Sequence, residues 1–382
     1  MLMKKILLLS TLVMGATLAM ADNKTINVTT AGSLSTLISE SEKETVTELT
    51  LTGNINKSDF CFIDTTLTKL ETLNIKDVTI EAETKHGKTY PANEIPDSAF
   101  MQNGYTNQHD VWVYTGNKNI KTYILPASIT SIGTSAFDDC KATSIDFSNC
   151  TALETIKSHA FNVAQITSIN LSGLTALKSI GDYAFCQTQA TSINLEGCSA
   201  LESLGERAFA QSYFVTSVNL NGCTSFKTVS DRSFLNLAKN SAPKSFIIDL
   251  SDTQIETIVT SAFQSSKATE YVFPTTLKEI EAKAFYLANA IKKLTFNSAS
   301  VTIAENSFQS TVMDNATIIV PEGAENTYKD YGFEKATATT TGINSLIINN
   351  KKNGNIYTID GKKVSNANHG LFIVNGKKVL VK

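Results

Sequence analysis

The feature that most constrains the fold of this 382-residue chain is a phrase that recurs nine times between residues 95 and 308. In each copy an aliphatic residue is followed five positions later by phenylalanine, and the residue before the phenylalanine is alanine or serine. The phenylalanines of the nine copies are Phe100, Phe137, Phe161, Phe185, Phe209, Phe234, Phe263, Phe285 and Phe308. All but the first spacing lie between 22 and 29 residues. A repeat of that length predicts a solenoid, because stacked units bury a core that one unit cannot close.

A second phrase, in which apolar and polar residues alternate, lies between copies of the first. It reads TSIDF at 143–147 and TSINL at 167–171 and 191–195. A period of two is typical of β-strands. We expect the aliphatic residues of this phrase to stack as one internal ladder and the phenylalanines to stack as another. The residue before each phenylalanine is expected to be small because neighbouring coils approach closely there.

These phrases resemble the BspA-like leucine-rich repeat family. The residues that carry the resemblance are 130–140, which read TSIGTSAFDDC, and 178–185, which read KSIGDYAF. The resemblance covers roughly residues 95–322 and implies a β-rich, right-handed solenoid with short strands and few helices. It also implies a role in adhesion and host interaction.

The first residues have the pattern of a secretory signal. Lys4 and Lys5 precede an apolar run, and Ala19-Met20-Ala21 offers a cleavage site. Together these features predict a cleaved signal peptide at 1–21 and an exported protein. A membrane anchor is the alternative, but the apolar run of about 15 residues is shorter than the roughly 20 that span a bilayer. We expect no transmembrane segment in the mature chain.

Residues 22–94 lack the alanine-phenylalanine phrase and are expected to form an N-terminal cap with one or two divergent repeats. Leu34 and its neighbours predict a short helix, and 46–51 and 70–75 predict strands. Residues 81–120 hold an insertion with the single tryptophan, Trp112. Trp112 is a candidate anchor of that loop, either for local packing or for binding.

After a linker at 323–341, residues 342–382 form a distinct basic tail with seven lysines and one acidic residue, Asp360. Its strands are separated by Asp-Gly and Asn-Gly pairs, which favour hairpins. Residues 356–364 and 370–382 resemble the type A C-terminal sorting domain of the Bacteroidetes type IX secretion system. That resemblance implies a small β-sandwich-like module, recognition by the secretion machinery and a place at the cell surface. The sorting residues it implies are Gly370, Asn375, Gly376, Lys377, Lys378 and Lys382. The alternative is a small β module that only caps the solenoid.

The candidate binding face is a set of small polar residues that alternate with the internal residues of the strand phrase. It comprises Ser144, Asp146, Ser168, Asn170, Ser192, Asn194, Ser217 and Asn219. A broad, regular surface suits recognition of a protein. The alternative is that these residues are simply solvated.

Chemistry at a catalytic or metal site is not indicated. The four histidines have no partner at helical spacing, and no hydrolase, metalloprotease or nucleotide-binding motif occurs. We therefore expect no enzyme and no cofactor. A net charge of −3 argues against a nucleic-acid partner. Cys150, Cys198 and Cys223 share one repeat slot with Leu174, which predicts buried thiols, although Cys198 and Cys223 could pair.

The sequence therefore predicts a secreted or cell-surface binding protein whose partners are proteins. Adhesion to host extracellular-matrix or plasma proteins is the leading hypothesis. A structural component of the bacterial surface that binds other bacterial proteins is the alternative. An enzyme or a carbohydrate-binding accessory is the third hypothesis, and it would need a site on the 81–120 insertion.

Overall fold

The computed structural model describes residues 22–101, 103–106, 112–241, 243–339, 356–358, 362–364, 370–374 and 377–381. The predicted signal peptide, 1–21, lies outside the described residues. Strands and helices are numbered in chain order. The described chain is a β-solenoid in which each coil crosses two parallel faces.

The first face contains thirteen strands in three successive parallel sheets of five, three and five strands. The strands are β1 (Asp22–Val28), β2 (Val46–Ile55), β3 (Thr72–Ile80), β9 (Thr122–Ile124), β11 (Ser144–Asp146), β13 (Ile169–Asn170), β15 (Ser192–Asn194), β17 (Ser217–Asn219), β19 (Ile247–Asp249), β21 (Glu270–Phe273), β23 (Lys293–Phe296), β25 (Thr317–Val320) and β26 (Ala336–Ala338). Neighbouring coils pair in register, so that Ile169 lies beside Ile193 and Ile193 beside Val218. All three side chains are buried, which confirms the predicted aliphatic ladder for these coils. Ile145, also expected in the ladder, is only partly buried and lies beside Tyr123 in the first of the three sheets.

The second face is one parallel sheet of nine short strands, one from each copy of the phenylalanine phrase. The strands are β6 (Glu94–Ile95), β10 (Ser131–Ile132), β12 (Thr155–Ile156), β14 (Ser179–Ile180), β16 (Ser203–Leu204), β18 (Thr228–Val229), β20 (Thr257–Ile258), β22 (Glu279–Ile280) and β24 (Thr302–Ile303). Each strand is only two residues long because a turn with alanine and phenylalanine follows it directly.

The phenylalanines form the second ladder that the repeat predicts. Consecutive rings from Phe137 to Phe308 are stacked, with centroids 4.6–5.5 Å apart and planes within 11° of parallel. The residue before each phenylalanine is buried, and its carbonyl accepts the N–H of the phenylalanine in the preceding coil. The Phe161 N–H, for example, donates to the Ala184 carbonyl at 2.7 Å. The close approach of coils explains why this position holds only alanine or serine.

The backbone on either side of each phenylalanine is in the left-handed region. All nine residues two positions before the phenylalanine have a φ between 50° and 60°, and seven residues two positions after it do as well. Of these residues only Asn306, Asp139, Asn236 and His159 are of the types that favour this conformation. Hydrogen bonds between coils hold most of the others there. The N–H of Tyr183 donates to the Glu206 carbonyl, and that of Val163 donates to the Cys186 carbonyl, both at 2.8 Å.

The remaining elements lie at the ends and in the insertion. The helices are α1 (Leu34–Leu37), α2 (Glu40–Lys43), α3 (Lys57–Thr66), α4 (Ser310–Asn315) and α5 (Glu325–Lys329). Two hairpins pair β4 (Glu83–Lys85) with β5 (Lys88–Tyr90) and β7 (Asn103–Thr106) with β8 (Trp112–Thr115). The helix predicted at Leu34 and the strands predicted near 46–51 and 70–75 are present. The two predicted strands are β2 and β3. β2 pairs in parallel with β3, and β3 pairs in parallel with β9, so both strands belong to the first face of the solenoid.

The segment expected to be a linker differs from that expectation. Within 323–341 the structure has α5 and β26, and β26 pairs in parallel with β25. Tyr328 and Phe333 are fully buried, so apolar residues outside the repeat phrase extend the core past residue 322.

The described part of the basic tail contains four strands, β27 (Ile356–Thr358), β28 (Lys363–Val364), β29 (Gly370–Val374) and β30 (Lys377–Val381). They form one antiparallel sheet in the order β28-β27-β29-β30. The predicted turns at Asp360-Gly361 and Asn375-Gly376 lie outside the described residues. A sandwich of two sheets remains a prediction.

Candidate protein-binding surface

The polar residues predicted to form a binding face lie on the outer side of the first face. Ser144, Asp146, Ser168, Asn170 and Ser217 are exposed, and the remaining three are partly exposed. The structure brings some of them together across coils. The Oγ atoms of Ser168 and Ser192 are 3.1 Å apart, and Asn194 Nδ2 donates to Asn170 Oδ1 at 3.2 Å. Asn219 does not continue this row, because its Nδ2 donates to Glu196 Oε2 at 3.1 Å.

The aspartate and asparagine residues of this face also make hydrogen bonds that stabilise the fold. In each case the side-chain oxygen accepts the backbone N–H two residues later, at the turn where the strand ends. The distances are 2.9 Å for Asp146, 3.3 Å for Asn170, and 3.1 Å for both Asn194 and Asn219. Asp249 repeats the contact at 2.9 Å, outside the predicted set. These hydrogen bonds explain the residue type without any ligand.

A second surface, which the sequence did not reveal, lies on the turns that contain the phenylalanines. We call it the Tyr183 stripe and define it as His159, Tyr183, Arg207 and Arg232, which occupy the same repeat position. The rings of His159 and Tyr183 are stacked, with centroids 4.9 Å apart and planes at 8°. The guanidinium of Arg207 lies 5.3 Å from the centroid of the Tyr183 ring, and its Nη1 hydrogen-bonds to the Tyr183 hydroxyl. The stripe therefore presents a histidine, a tyrosine and an arginine in one stacked row.

Ion pairs fix the arginine end of the stripe. Glu206 Oε1 lies 3.3 Å from Arg207 Nη1 and 3.8 Å from Arg232 Nη1, and Asp231 Oδ2 lies 2.6 Å from Arg232 Nη1. The two arginine side chains keep 32% and 37% of their surface exposed. Both cations are held in place and remain accessible to a partner.

A shallow cavity of about 420 Å³ lies beside the Tyr183 stripe and has room for a side chain of a partner. Three residues of the stripe line it, namely His159, Tyr183 and Arg207. Residues on the other side of the phenylalanines complete the lining, among them Asn162, Val163, Gln187, Gln211 and Leu235. Val163 is 38% exposed although it is apolar. The cavity is thus apolar at one point and surrounded by polar side chains.

The repeat position of the stripe explains why the sequence did not reveal it. The position two residues before the phenylalanine holds serine in three coils, and lysine or asparagine in two others. Read one coil at a time, His159 is a variable surface residue. Only the stacking of consecutive coils places it against Tyr183.

The three cysteines of the shared repeat slot, Cys150, Cys198 and Cys223, lie in the core as predicted and are fully buried. All six cysteines are free thiols, and Cys61 is partly exposed. Cys198 Sγ donates to the Leu171 carbonyl at 3.1 Å, and Cys223 Sγ donates to the Leu195 carbonyl at 3.2 Å. Burial raises the pKa of Cys198 to about 11 and that of Cys223 to about 12. These thiols are packed as small apolar groups.

The structure gives less information about the other predicted site residues. Trp112 begins β8, but its side chain lies outside the described residues, as do Asn375, Gly376 and Lys382. Gly370 lies in β29, and Lys377 and Lys378 lie in β30. Among the described residues, no three histidine, cysteine, aspartate or glutamate side chains are placed to hold a metal ion. The same part of the chain contains no helix long and apolar enough to cross a membrane.

Two parallel faces joined by short turns, with one coil per repeat, define a leucine-rich repeat solenoid. The BspA type leucine rich repeat region matches residues 113–241 and 244–358 in six copies. The chain therefore belongs to the BspA type leucine-rich repeat family, as its repeat phrase indicated.

Solved structures with similarity to this chain include bacterial repeat proteins. A leucine-rich repeat protein from Bacteroides ovatus ATCC 8483 is 18% identical, over 70% of this chain and 68% of that one, with a TM-score of 0.41. The pneumococcal vaccine antigen PcpA is 15% identical, over 67% of this chain and 85% of that one, with a TM-score of 0.31. A leucine rich cell surface protein from Faecalibacterium prausnitzii A2-165 is 14% identical, over 75% and 85%, with a TM-score of 0.28. No curated protein matches the chain.

Proposed function

We propose that this chain is a non-enzymatic binding protein of the cell surface that adheres to host matrix or plasma proteins through the Tyr183 stripe. The observation that carries the proposal is the stacked row of His159, Tyr183 and Arg207 beside a cavity of about 420 Å³. Family membership supports a role in protein interaction.

The chemistry of the stripe favours a protein partner. Tyrosine and arginine are enriched at the residues that contribute most to protein–protein affinity, because each combines a large contact area with a directed polar group. The hydrogen bond and the ion pair of Arg207 hold its side chain in one geometry before binding, which lowers the entropy lost in a complex. The strand-end asparagines, in contrast, already use their side chains within the fold.

The location of the protein is the second part of the proposal. The predicted signal peptide at 1–21 would export the chain, and the sorting domain at 342–382 would carry it across the outer membrane. The basic tail and the acidic remainder of the chain support the division into two modules. A reporter fusion to residues 1–21, with surface labelling of cells that produce the full chain or a chain ending at residue 341, tests both steps.

The binding experiment uses the full mature chain against a panel of extracellular-matrix and plasma proteins. We expect saturable binding to one or two members of the panel. The double variant Tyr183→Ala with Arg207→Ala should weaken that binding at least about tenfold, which is the effect of losing one modest hot spot. Circular dichroism of each variant confirms that the solenoid is folded.

A matched double variant on the strand face, Ser168→Ala with Ser192→Ala, separates the two candidate surfaces. We expect it to bind like the wild type. Loss of binding in the strand-face variant alone would move the interaction to the strand face. Flat responses of the wild type across the panel would overturn adhesion and favour a bacterial partner.

A further inference from the structure

The turns that contain the phenylalanines give this side of the solenoid a direction. The N–H of Phe161 donates to the Ala184 carbonyl and that of Val163 donates to the Cys186 carbonyl, and the corresponding bonds recur in the other coils. N–H groups therefore point toward the C-terminal end of the array and carbonyl groups point toward its N-terminal end. Each end must leave one kind of group without a neighbouring coil.

At the N-terminal end a lysine caps part of the row of carbonyl groups. Lys57 Nζ, on the first residue of α3, donates to the carbonyls of Asp97 and Ser98, each at 3.0 Å. The side chain is only 4% exposed, and desolvation lowers the pKa of Lys57. A buried lysine is costly unless it is well bonded, so the chain itself closes this end at the Asp97 carbonyl.

At the C-terminal end one N–H group differs from its counterparts. Among the described residues the N–H of Phe308 makes no hydrogen bond, whereas the N–H of every earlier phenylalanine of the ladder donates to the next coil. The N–H of Asn306 makes none either, as is the case for Ser261 and Lys283 at the same repeat position. The second face stops at β24, whereas the first face continues through β25 and β26. The missing coil leaves a groove of about 700 Å³ beside the open backbone edge.

The charges of this groove select its occupant. Glu305 and Asp330 line it and are exposed, and its lining contains no lysine, arginine or histidine. An anion would meet the open N–H groups but also two carboxylates. A peptide carbonyl satisfies the donors without a negative charge, and a nearby cationic side chain satisfies the carboxylates. Tyr286, Met313 and Tyr331 add apolar contact area.

We propose that the C-terminal groove binds an extended peptide segment of a partner protein, with carbonyl oxygens on the N–H groups of Asn306 and Phe308 and a lysine or arginine side chain near Glu305 and Asp330. The mode is strand addition to an open backbone edge. A second copy stacked end to end is a poorer fit, because Lys57 already occupies the Asp97 carbonyl, which such a copy would offer to Asn306. This site is separate from the Tyr183 stripe and does not depend on it.

The test is a titration of the full mature chain, labelled with ¹⁵N, with two synthetic peptides, acetyl-TVKVT-amide and acetyl-TVEVT-amide. We expect the lysine peptide to shift the amide protons of Asn306 and Phe308 downfield in a saturable way. The glutamate peptide should bind at least about tenfold more weakly. Inorganic phosphate serves as the anion probe and should leave both amides unchanged.

Two variants locate the effect. Glu305→Gln with Asp330→Asn should remove the preference for lysine over glutamate while the fold is kept. Thr311→Trp, on the exposed side of α4 that lines the groove, should block both peptides, and Asn326→Trp on α5 is its control outside the lining. The proposal is overturned if phosphate alone shifts the two amides, if they are already protected from exchange in the free chain, or if Thr311→Trp leaves binding unchanged.

Discussion

The ring of Phe161 lies parallel to the ring of Phe185, with centroids 4.9 Å apart and an angle of 9° between the planes. Phe185 makes the same contact with Phe209 at 5.4 Å and 4°. Each ring within the ladder therefore has a stacked neighbour on both sides. The core is a column in which each coil depends on the coils next to it.

Truncation of one ring in the middle of this column should be costly. We expect Phe185→Ala to lower the free energy of unfolding by about 3–5 kcal/mol, because it leaves a cavity that two neighbouring coils cannot collapse into. Denaturant titration followed by circular dichroism measures the change. Phe214→Ala is the control, since Phe214 is 38% exposed and its loss should cost less than about 0.5 kcal/mol. Equal losses in the two variants would contradict a continuous ladder.

Two buried tyrosines make a matched pair with opposite expectations. Tyr123 and Tyr271 are both fully buried on the first face. The Tyr271 hydroxyl hydrogen-bonds to Ser266 Oγ at 2.9 Å, whereas the Tyr123 hydroxyl has no partner among the described residues. Tyr271→Phe should destabilise the protein by about 1 kcal/mol, and Tyr123→Phe should be neutral or stabilising. Thermal unfolding of the two variants measures the change in stability. A larger loss of stability for Tyr123→Phe than for Tyr271→Phe would contradict the expectation.

Thiol reactivity tests the burial of the cysteines. Cys61 is partly exposed and the other five are buried. Burial raises the pKa of Cys140 and Cys150 to about 12, so little thiolate forms at pH 8. With an aromatic disulfide reagent at pH 8, we expect one thiol to react rapidly in the native protein and all six in denaturant. Fewer than six in denaturant without reductant would reveal a disulfide.

Asparagine at the strand end should matter more for stability than serine on the strand. Asn194 Oδ1 accepts the N–H of Glu196 at 3.1 Å, and its Nδ2 donates to Asn170. We expect Asn194→Ala to cost about 1 kcal/mol of folding free energy, because the turn loses its side-chain acceptor. Ser192→Ala should lie within about 0.5 kcal/mol of the wild type. The reverse order in chemical denaturation would contradict a structural task for the asparagines.

The repeat alone predicted much of the fold. A fixed offset of five residues between the aliphatic residue and the phenylalanine places both in the core of every coil, and Ile156 and Phe161 are indeed fully buried. The shared slot of Cys198 and Leu174 indicated burial in the same way, since one pocket had to accept both side chains. Regular spacing carries this information because every coil repeats the same environment.

The parts that the sequence did not predict depend on contacts between coils or on residues outside the phrase. No glycine marks the left-handed turn at Tyr183, because hydrogen bonds from the next coil impose it. β26 has the polar, threonine-rich composition of a linker, yet pairing with β25 makes it a strand. The N–H of Phe308, which makes no hydrogen bond among the described residues, follows from the direction of the turns, which a one-dimensional pattern does not contain.

The most direct test of the central claim is a hydrogen-exchange footprint of the full chain in complex with the panel protein that binds it. We predict protection of the coils that carry His159, Tyr183 and Arg207, with the strands at Ser168 and Ser192 unchanged. Protection confined to those strands, with the Tyr183 stripe exchanging as in the free protein, would contradict the account.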